Sequence, residues 1–182
     1  VPTVNADWWN FGGITRQVSL VSVPEVFIRD YMVQLDKSNN RLIKGWIQLD
    51  GVKANETVQV QIPELKINVD VTTDKSGFAL IGIPVKKITL WEPENPKLYD
   101  VIINTSSDRI LDQIGFRTIE TKGTDILLNG KKIFCRGISI HEETAYNSGR
   151  AYSDDQAVTL LNWAKEMGCN FVRLAHYPHN EN

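Results

Sequence analysis

The side chains best suited to chemistry are concentrated in residues 129–179. All three histidines of the chain lie there: His141, His176 and His179. An imidazole can donate or accept a hydrogen bond according to its tautomer, move a proton near neutral pH, or bind a metal. His141 closes one apolar run, Arg-Gly-Ile-Ser-Ile, and is followed by Glu142. His176 closes a second, Phe-Val-Arg-Leu-Ala. Together, His141, Glu142, His176 and His179 contain enough ligand atoms for a metal. The zinc spacing His-Glu-x-x-His is not completed, however, because His141-Glu142-Glu143-Thr144-Ala145 lacks the second histidine. Neither a metal nor a cofactor is expected.

A strand, a helix and a strand must position these groups. Ser153 is an N-cap, and Gln156 three residues later completes a capping box. Asp154 and Asp155 place negative charge in the first turn, where the helix dipole favours it. Ala157, Leu160, Leu161, Ala164 and Met167 recur at helical spacing as one apolar stripe, and Gly168 suits the end of the helix. The apolar run before His141 and the run of Phe171, Val172 and Leu174 then read as strands joined by a right-handed crossover, which makes them a parallel pair. Residues just past the C-terminal ends of such strands line the ligand crevice. This rule predicts His141 and His176 side by side at one mouth.

Four stretches in order carry a resemblance: Gly-Phe-Arg-Thr-Ile-Glu (115–120), Leu-Leu-Asn-Gly-Lys (127–131), Arg-Gly-Ile-Ser-Ile-His-Glu (136–142) and Asn-Phe-Val-Arg-Leu-Ala-His-Tyr-Pro (170–178). In order and spacing they resemble glycoside hydrolase family 2, which includes β-galactosidases, β-glucuronidases and β-mannosidases. One departure is Leu174, where the family usually carries a small residue after the strand arginine. The resemblance implies a retaining mechanism with two glutamates, both on later barrel strands, the acid/base directly after an asparagine. Asn55-Glu56 and Asn180-Glu181 are the two Asn-Glu pairs here, and neither sits where the acid/base belongs. The residues present would be supporting ones. Arg173 would orient the nucleophilic glutamate, His141 and His176 would bind sugar hydroxyls, and Glu142 would orient His141 or bind a hydroxyl. An acidic residue at the position of Asp7 can touch sugar hydroxyls in relatives.

The remaining sequence fits this frame. Residues 25–119 alternate as seven or eight short strands with turns at close spacing, which predicts an immunoglobulin-like β-sandwich. This segment has no histidine and no cluster of carboxylates, so it reads as a scaffold. Asn129-Gly130 between apolar runs predicts a tight hairpin. Residues 1–24 carry Trp8, Trp9 and an alternating run at 16–23 with no local partner sheet. By resemblance they are the end of a jelly-roll domain. Residues 120–182 would be the truncated βαβ start of a TIM (β/α)8 barrel, leaving the fold mainly β. The chain reads as an excised fragment, inactive by itself, so its compartment is left open.

Composition narrows the function classes. A formal net charge of −2 gives no basic footprint for nucleic acid, and no apolar run approaches the ~20 residues that span a bilayer. Cys135 and Cys169 form no disulfide framework and are expected as buried free thiols. The expected partner is a β-glycoside. The alternative is a non-catalytic carbohydrate-binding or interaction module built on the sandwich, which leaves the capped βαβ unit and its paired histidines unexplained.

Overall fold

The computed structural model describes residues 13–14, 16–52 and 55–180. They form two compact units. One comprises residues 21–133, and the other comprises residues 134–180 with the described residues up to Leu20.

The first unit contains a sandwich of seven strands: β1 (Phe27–Leu35), β2 (Leu42–Asp50), β3 (Thr57–Ile62), β4 (Ile67–Thr72), β5 (Phe78–Pro84), β6 (Tyr99–Asn104) and β7 (Arg109–Ile114). One sheet has the order β1-β2-β5 and the other β4-β3-β6-β7, with antiparallel pairing throughout. Alternation in the sequence becomes alternation of faces. Val58, Val60 and Ile62 of β3 point inward and are fully buried, as are Ile43 and Ile47 of β2 and Val101 and Ile103 of β6. Phe116 fills one end of this core, its ring 5.7 Å from that of Tyr99. Gly45 is required by close approach, since a Cβ there would lie 1.7 Å from the Met32 carbonyl oxygen on the neighbouring strand.

Two stretches of this unit depart from regular pairing. Leu65, though apolar, does not start β4. Pro63–Leu65 form a single 3-10 turn, and Lys66 takes the left-handed conformation (φ 54°) before β4 begins at Ile67. Residues 88–91 pair with no strand. Instead, the Thr89 N–H donates to the Tyr99 hydroxyl and the Trp91 N–H to the Phe116 carbonyl. These isolated anchors satisfy the backbone without a ladder.

The same unit holds a three-stranded sheet, β8 (Ile119–Lys122), β9 (Asp125–Leu128) and β10 (Lys131–Ile133), in the order β10-β9-β8. Asn129 (φ 52°) and Gly130 (φ 76°) make the expected hairpin turn, which demands positive φ at both central residues. Asn129 also ties the hairpin to the 91–96 loop. Its amide donates to the Trp91 carbonyl, and its side-chain oxygen accepts from the Thr118 N–H. Lys131 adds an ion pair with Glu92. The 91–96 loop is thus a fastening.

The second unit contains β11 (Gly137–Ile140), a short hairpin of β12 (Glu143–Thr144) and β13 (Asn147–Arg150), the helix α1 (Asp154–Glu166), and β14 (Phe171–Leu174). Strands β11 and β14 pair in parallel, with Gly137 opposite Phe171 and Ile140 opposite Leu174. The capping box of Ser153 and Gln156 is formed, and Gly168 (φ 77°) follows the C-cap Met167. The helix stripe is covered only in part. Ala164 is buried, whereas Leu161 and Met167 are exposed, because a two-stranded sheet offers too little area to cover the whole stripe. Residues 16–23, expected as a strand, pair with no strand among the described residues, and Val18, Leu20 and Val21 are exposed. Cys135 and Cys169 are free, but neither is buried as expected: Cys169 is half-buried, and Cys135 is exposed, since it precedes β11, outside the sheet.

Candidate active site

The ends of β11 and β14 are brought together by backbone geometry. At their start, the Asn170 side chain donates to the Phe134 carbonyl and accepts from the Arg136 N–H. Gly137 lets the strands close, because a Cβ there would lie 2.4 Å from the Phe171 carbonyl oxygen. At their far end, the Ala175 N–H donates to the Ile140 carbonyl at 3.0 Å, extending the ladder one residue beyond the strand. His141 and His176 are the next residues on each strand. Their ring centroids lie 5.4 Å apart with the planes at 90°. The pairing expected from strand-end logic is therefore present.

Around the two imidazoles lies a chain of rings. Tyr177 sits edge-on to His141 at 6.0 Å and stacks on His179 at 5.3 Å, and the Arg150 guanidinium lies 5.3 Å from the Tyr177 ring centre. Among the described residues, no three His, Cys, Asp or Glu side chains are grouped as a metal would require.

Glu142 is buried, with only 2% of its surface exposed. Its Oε2 accepts from Arg16 at 3.0 Å and from Arg150 at 2.9 Å, and its Oε1 accepts from the Asn180 N–H. Its own N–H donates to the Tyr177 hydroxyl at 3.0 Å. Burial alone would raise this carboxyl's pKa. The bonds from Arg16, Asn180 and Arg150 outweigh it and hold the group below the usual carboxylate range. Burial acts on His179 as well and pushes its pKa below the usual imidazole value. Arg16, His141 and Arg150 act in the same direction, while Glu142 opposes them.

Arg173 lies opposite Ser139 in the parallel register. Val172 and Leu174 line a cavity with Leu160 and Leu161 of α1, so alternation places Arg173 on the sheet face turned away from the helix, where it is exposed. Of the residues named from the sequence, His141, Glu142 and His176 are thus gathered at one mouth, and Arg173 is on the adjoining strand face. Asp7, like Trp8 and Trp9, lies outside the described residues. The sequence reading missed Arg16, Arg150, Tyr177 and Asn180. Tyr177 was in view within the last motif. Arg16 and Asn180 carry no local signal, because their partner Glu142 is 126 and 38 residues away, whereas Arg150 is eight residues from it, across a hairpin that the sequence did not announce.

A parallel strand pair with a capped crossover helix and polar groups past both strand ends, following an immunoglobulin-type sandwich in sequence, is the architecture the four motifs imply. The glycosyl hydrolases family 2 model matches residues 26–117, and the model of that family's TIM barrel domain matches residues 119–182. The chain belongs to glycoside hydrolase family 2. It is 29% identical over 184 residues to a β-galactosidase from Streptococcus thermophilus, covering 94% of this chain and 18% of that protein. It is 31% identical over 191 residues to a putative β-glucuronidase from Formosa agariphila, covering 98% of this chain and 23% of that protein. The chain therefore spans about a fifth of the length of these family 2 relatives. Among solved structures, a family 2 β-galacturonidase from Eisenbergiella tayi bound to galacturonate matches with a TM-score of 0.71 at 27% identity, covering 87% of this chain and 30% of that one. A β-glucuronidase from Ruminococcus gnavus in complex with D-glucuronic acid matches with a TM-score of 0.65 at 25% identity, covering 87% and 27%.

Proposed function

We propose that this chain forms part of a retaining β-glycosidase that hydrolyses the O-glycosidic bond of β-galactoside-like or β-glucuronide-like substrates. In this reading residues 1–24 end a jelly-roll domain, residues 25–119 are the sandwich and residues 120–182 begin the catalytic barrel. The observation that carries it is the pair His141 and His176, 5.4 Å apart at the C-terminal ends of adjacent parallel strands. Barrel enzymes assemble their sites at that end.

Retaining hydrolysis needs two carboxylates roughly 5–5.5 Å apart, one as acid/base and one as nucleophile. By family resemblance both are glutamates on later strands, so the residues here act in support. Arg173 presents a rigid fork that can hold the nucleophilic carboxylate bidentately and keep it ionised. His141 and His176 bind sugar hydroxyls, and Asp7 adds a contact from the preceding segment. Glu142 serves by orienting His141, since its oxygens are already occupied by Arg16, Arg150 and Asn180. The 182-residue chain alone turns over no glycoside, because the acid and the nucleophile are not among its residues.

The test is to assay the chain and the full-length protein containing it with nitrophenyl β-galactoside and β-glucuronide. Turnover by the full-length protein alone is expected. Hydrolysis by the pure chain, abolished by mutating a residue within it, would overturn the assignment of roles. An inactive, folded full-length protein would overturn the glycosidase reading.

A further inference from the structure

The contacts of Glu142 raise a question that sugar binding does not answer. A carboxylate removed from water is costly unless its charge and lone pairs are matched. Here two guanidiniums and one backbone N–H match them, leaving little capacity for a ligand. The three donors come from three separate stretches of chain. Arg150 ends the β12–β13 hairpin, Asn180 lies beyond β14, and Arg16 precedes every strand among the described residues. Arg16 also donates to the Pro178 carbonyl. One guanidinium group therefore bonds both the segment after β11 and the segment after β14. The link from the Glu142 N–H to the Tyr177 hydroxyl joins these two segments a second time. His141 lies on one of them, and His176 and His179 on the other.

We propose that Arg16, Glu142 and Arg150 form a charged clamp that positions the two histidine-bearing segments, with Arg16 as a positioning residue supplied from outside the βαβ unit. Glu142 is the centre of the clamp and touches no substrate. Its role is to fix the separation of His141 and His176, on which bidentate recognition of a sugar ring depends. A misplacement of about 1 Å in such a pair can cost on the order of a hundredfold in rate. The residues thus form a unit whose members cannot be valued singly.

This inference rests on the glycosidase reading for its kinetic arm but not for its structural one. In the full-length protein, Arg16→Met, Arg16→Lys, Glu142→Gln and the double variant Arg16→Met/Glu142→Gln are compared. Two quantities are measured: amide hydrogen exchange in peptides covering 141–150 and 175–180, and kcat/KM on nitrophenyl β-glycosides. Arg16→Met is expected to speed exchange at least tenfold in both peptides and to lower kcat/KM at least tenfold. Arg16→Lys, which keeps the charge, should recover part of both losses. The double variant should lose less than the sum of the two single losses, because the Arg16–Glu142 interaction is shared between them. Unchanged exchange in folded Arg16→Met protein would overturn the clamp. So would fully additive losses in the double variant, or faster exchange with wild-type kcat/KM. Should Arg16→Met fail to fold, Arg16→Lys and Arg150→Met decide by the same two readouts. A wild-type protein that hydrolyses no glycoside, yet shows the exchange response, would refute the glycosidase reading and leave the clamp standing.

Discussion

In residues 21–133 the buried side chains are almost all aliphatic or aromatic, with Thr73 the polar exception. In residues 134–180 the buried set includes Glu142, Thr144 and Gln156, and its only buried hydrophobic side chains among the described residues are Ala164 and Ala175. The contrast separates two ways of holding a structure. Apolar burial is non-directional and scales with area, so the sandwich gains stability from many interchangeable contacts. Charged and hydrogen-bonded burial is directional, so the βαβ unit depends on a few specific partners. The first suits a scaffold, and the second suits a site whose groups must hold set positions.

The contrast is broken most directly at Phe116. It is fully buried against Tyr99, so Phe116→Ala should cost about 3–5 kcal/mol of stability. The measurement is the denaturant midpoint of the chain. A loss below about 1 kcal/mol would mean that the sandwich core is not the main source of its stability.

Arg173→Lys tests the other half. It keeps the charge but loses the fork, so kcat of the full-length enzyme should fall more than tenfold, roughly 1.4 kcal/mol of transition-state stabilisation. Unfolding should hardly change, because Arg173 is exposed. Near wild-type kcat with an unchanged pH profile would remove Arg173 from the site.

Ser153→Ala removes the N-cap of α1 and one half of its capping box. It should cost about 1 kcal/mol, read by thermal melting. A larger loss would mean that the helix start also carries tertiary contacts.

The smallest effects are those of pH, and they differ in sign between the two units. Tyr31 is pushed up to about 12, by burial first and then by its hydrogen bond to Asp112. The unfolded chain ionises this phenol from its ordinary 10.0 and the folded chain does not. Sandwich stability should therefore decline as pH rises from about 10 to 12. His179 is pushed below its ordinary 6.5. On acidification the unfolded chain gains a proton that the folded chain refuses, so stability of the βαβ unit falls once pH drops below about 6.5. Glu142 acts later. Its contribution is complete above the ordinary carboxyl range and is lost only as pH falls through its lowered value. Hydrogen exchange by region across pH is the check, and equal pH profiles for the two units would erase the distinction.

Much of this was legible beforehand because it is local. The capping box, the Asn129-Gly130 turn and the alternation of β3 depend on neighbours within a few residues, and each appears as read. The approach of His141 to His176 was also legible, because parallel pairing follows from the order strand, helix, strand. Where the local signal was incomplete, tertiary context overrode it. Residues 16–23 alternate like a strand, but backbone donors and acceptors make a strand only against a partner, and the described residues provide none. Residues 88–91 were apolar enough for a strand, yet they are held by single bonds to Tyr99 and Phe116. The hairpin of β9 and β10 is fastened by Asn129 and Lys131 to Trp91 and Glu92, partners that no local pattern announces.

The sequence by itself determined which residues were available at the candidate site and which strand ends would carry them, because side-chain periodicity and crossover handedness are fixed by local backbone geometry. Only the tertiary structure decided what Glu142 does. A carboxylate beside a histidine could as well face a ligand as a neighbour. The choice was made by Arg16 and Arg150 arriving from separate stretches of chain to neutralise a charge that burial would not otherwise tolerate.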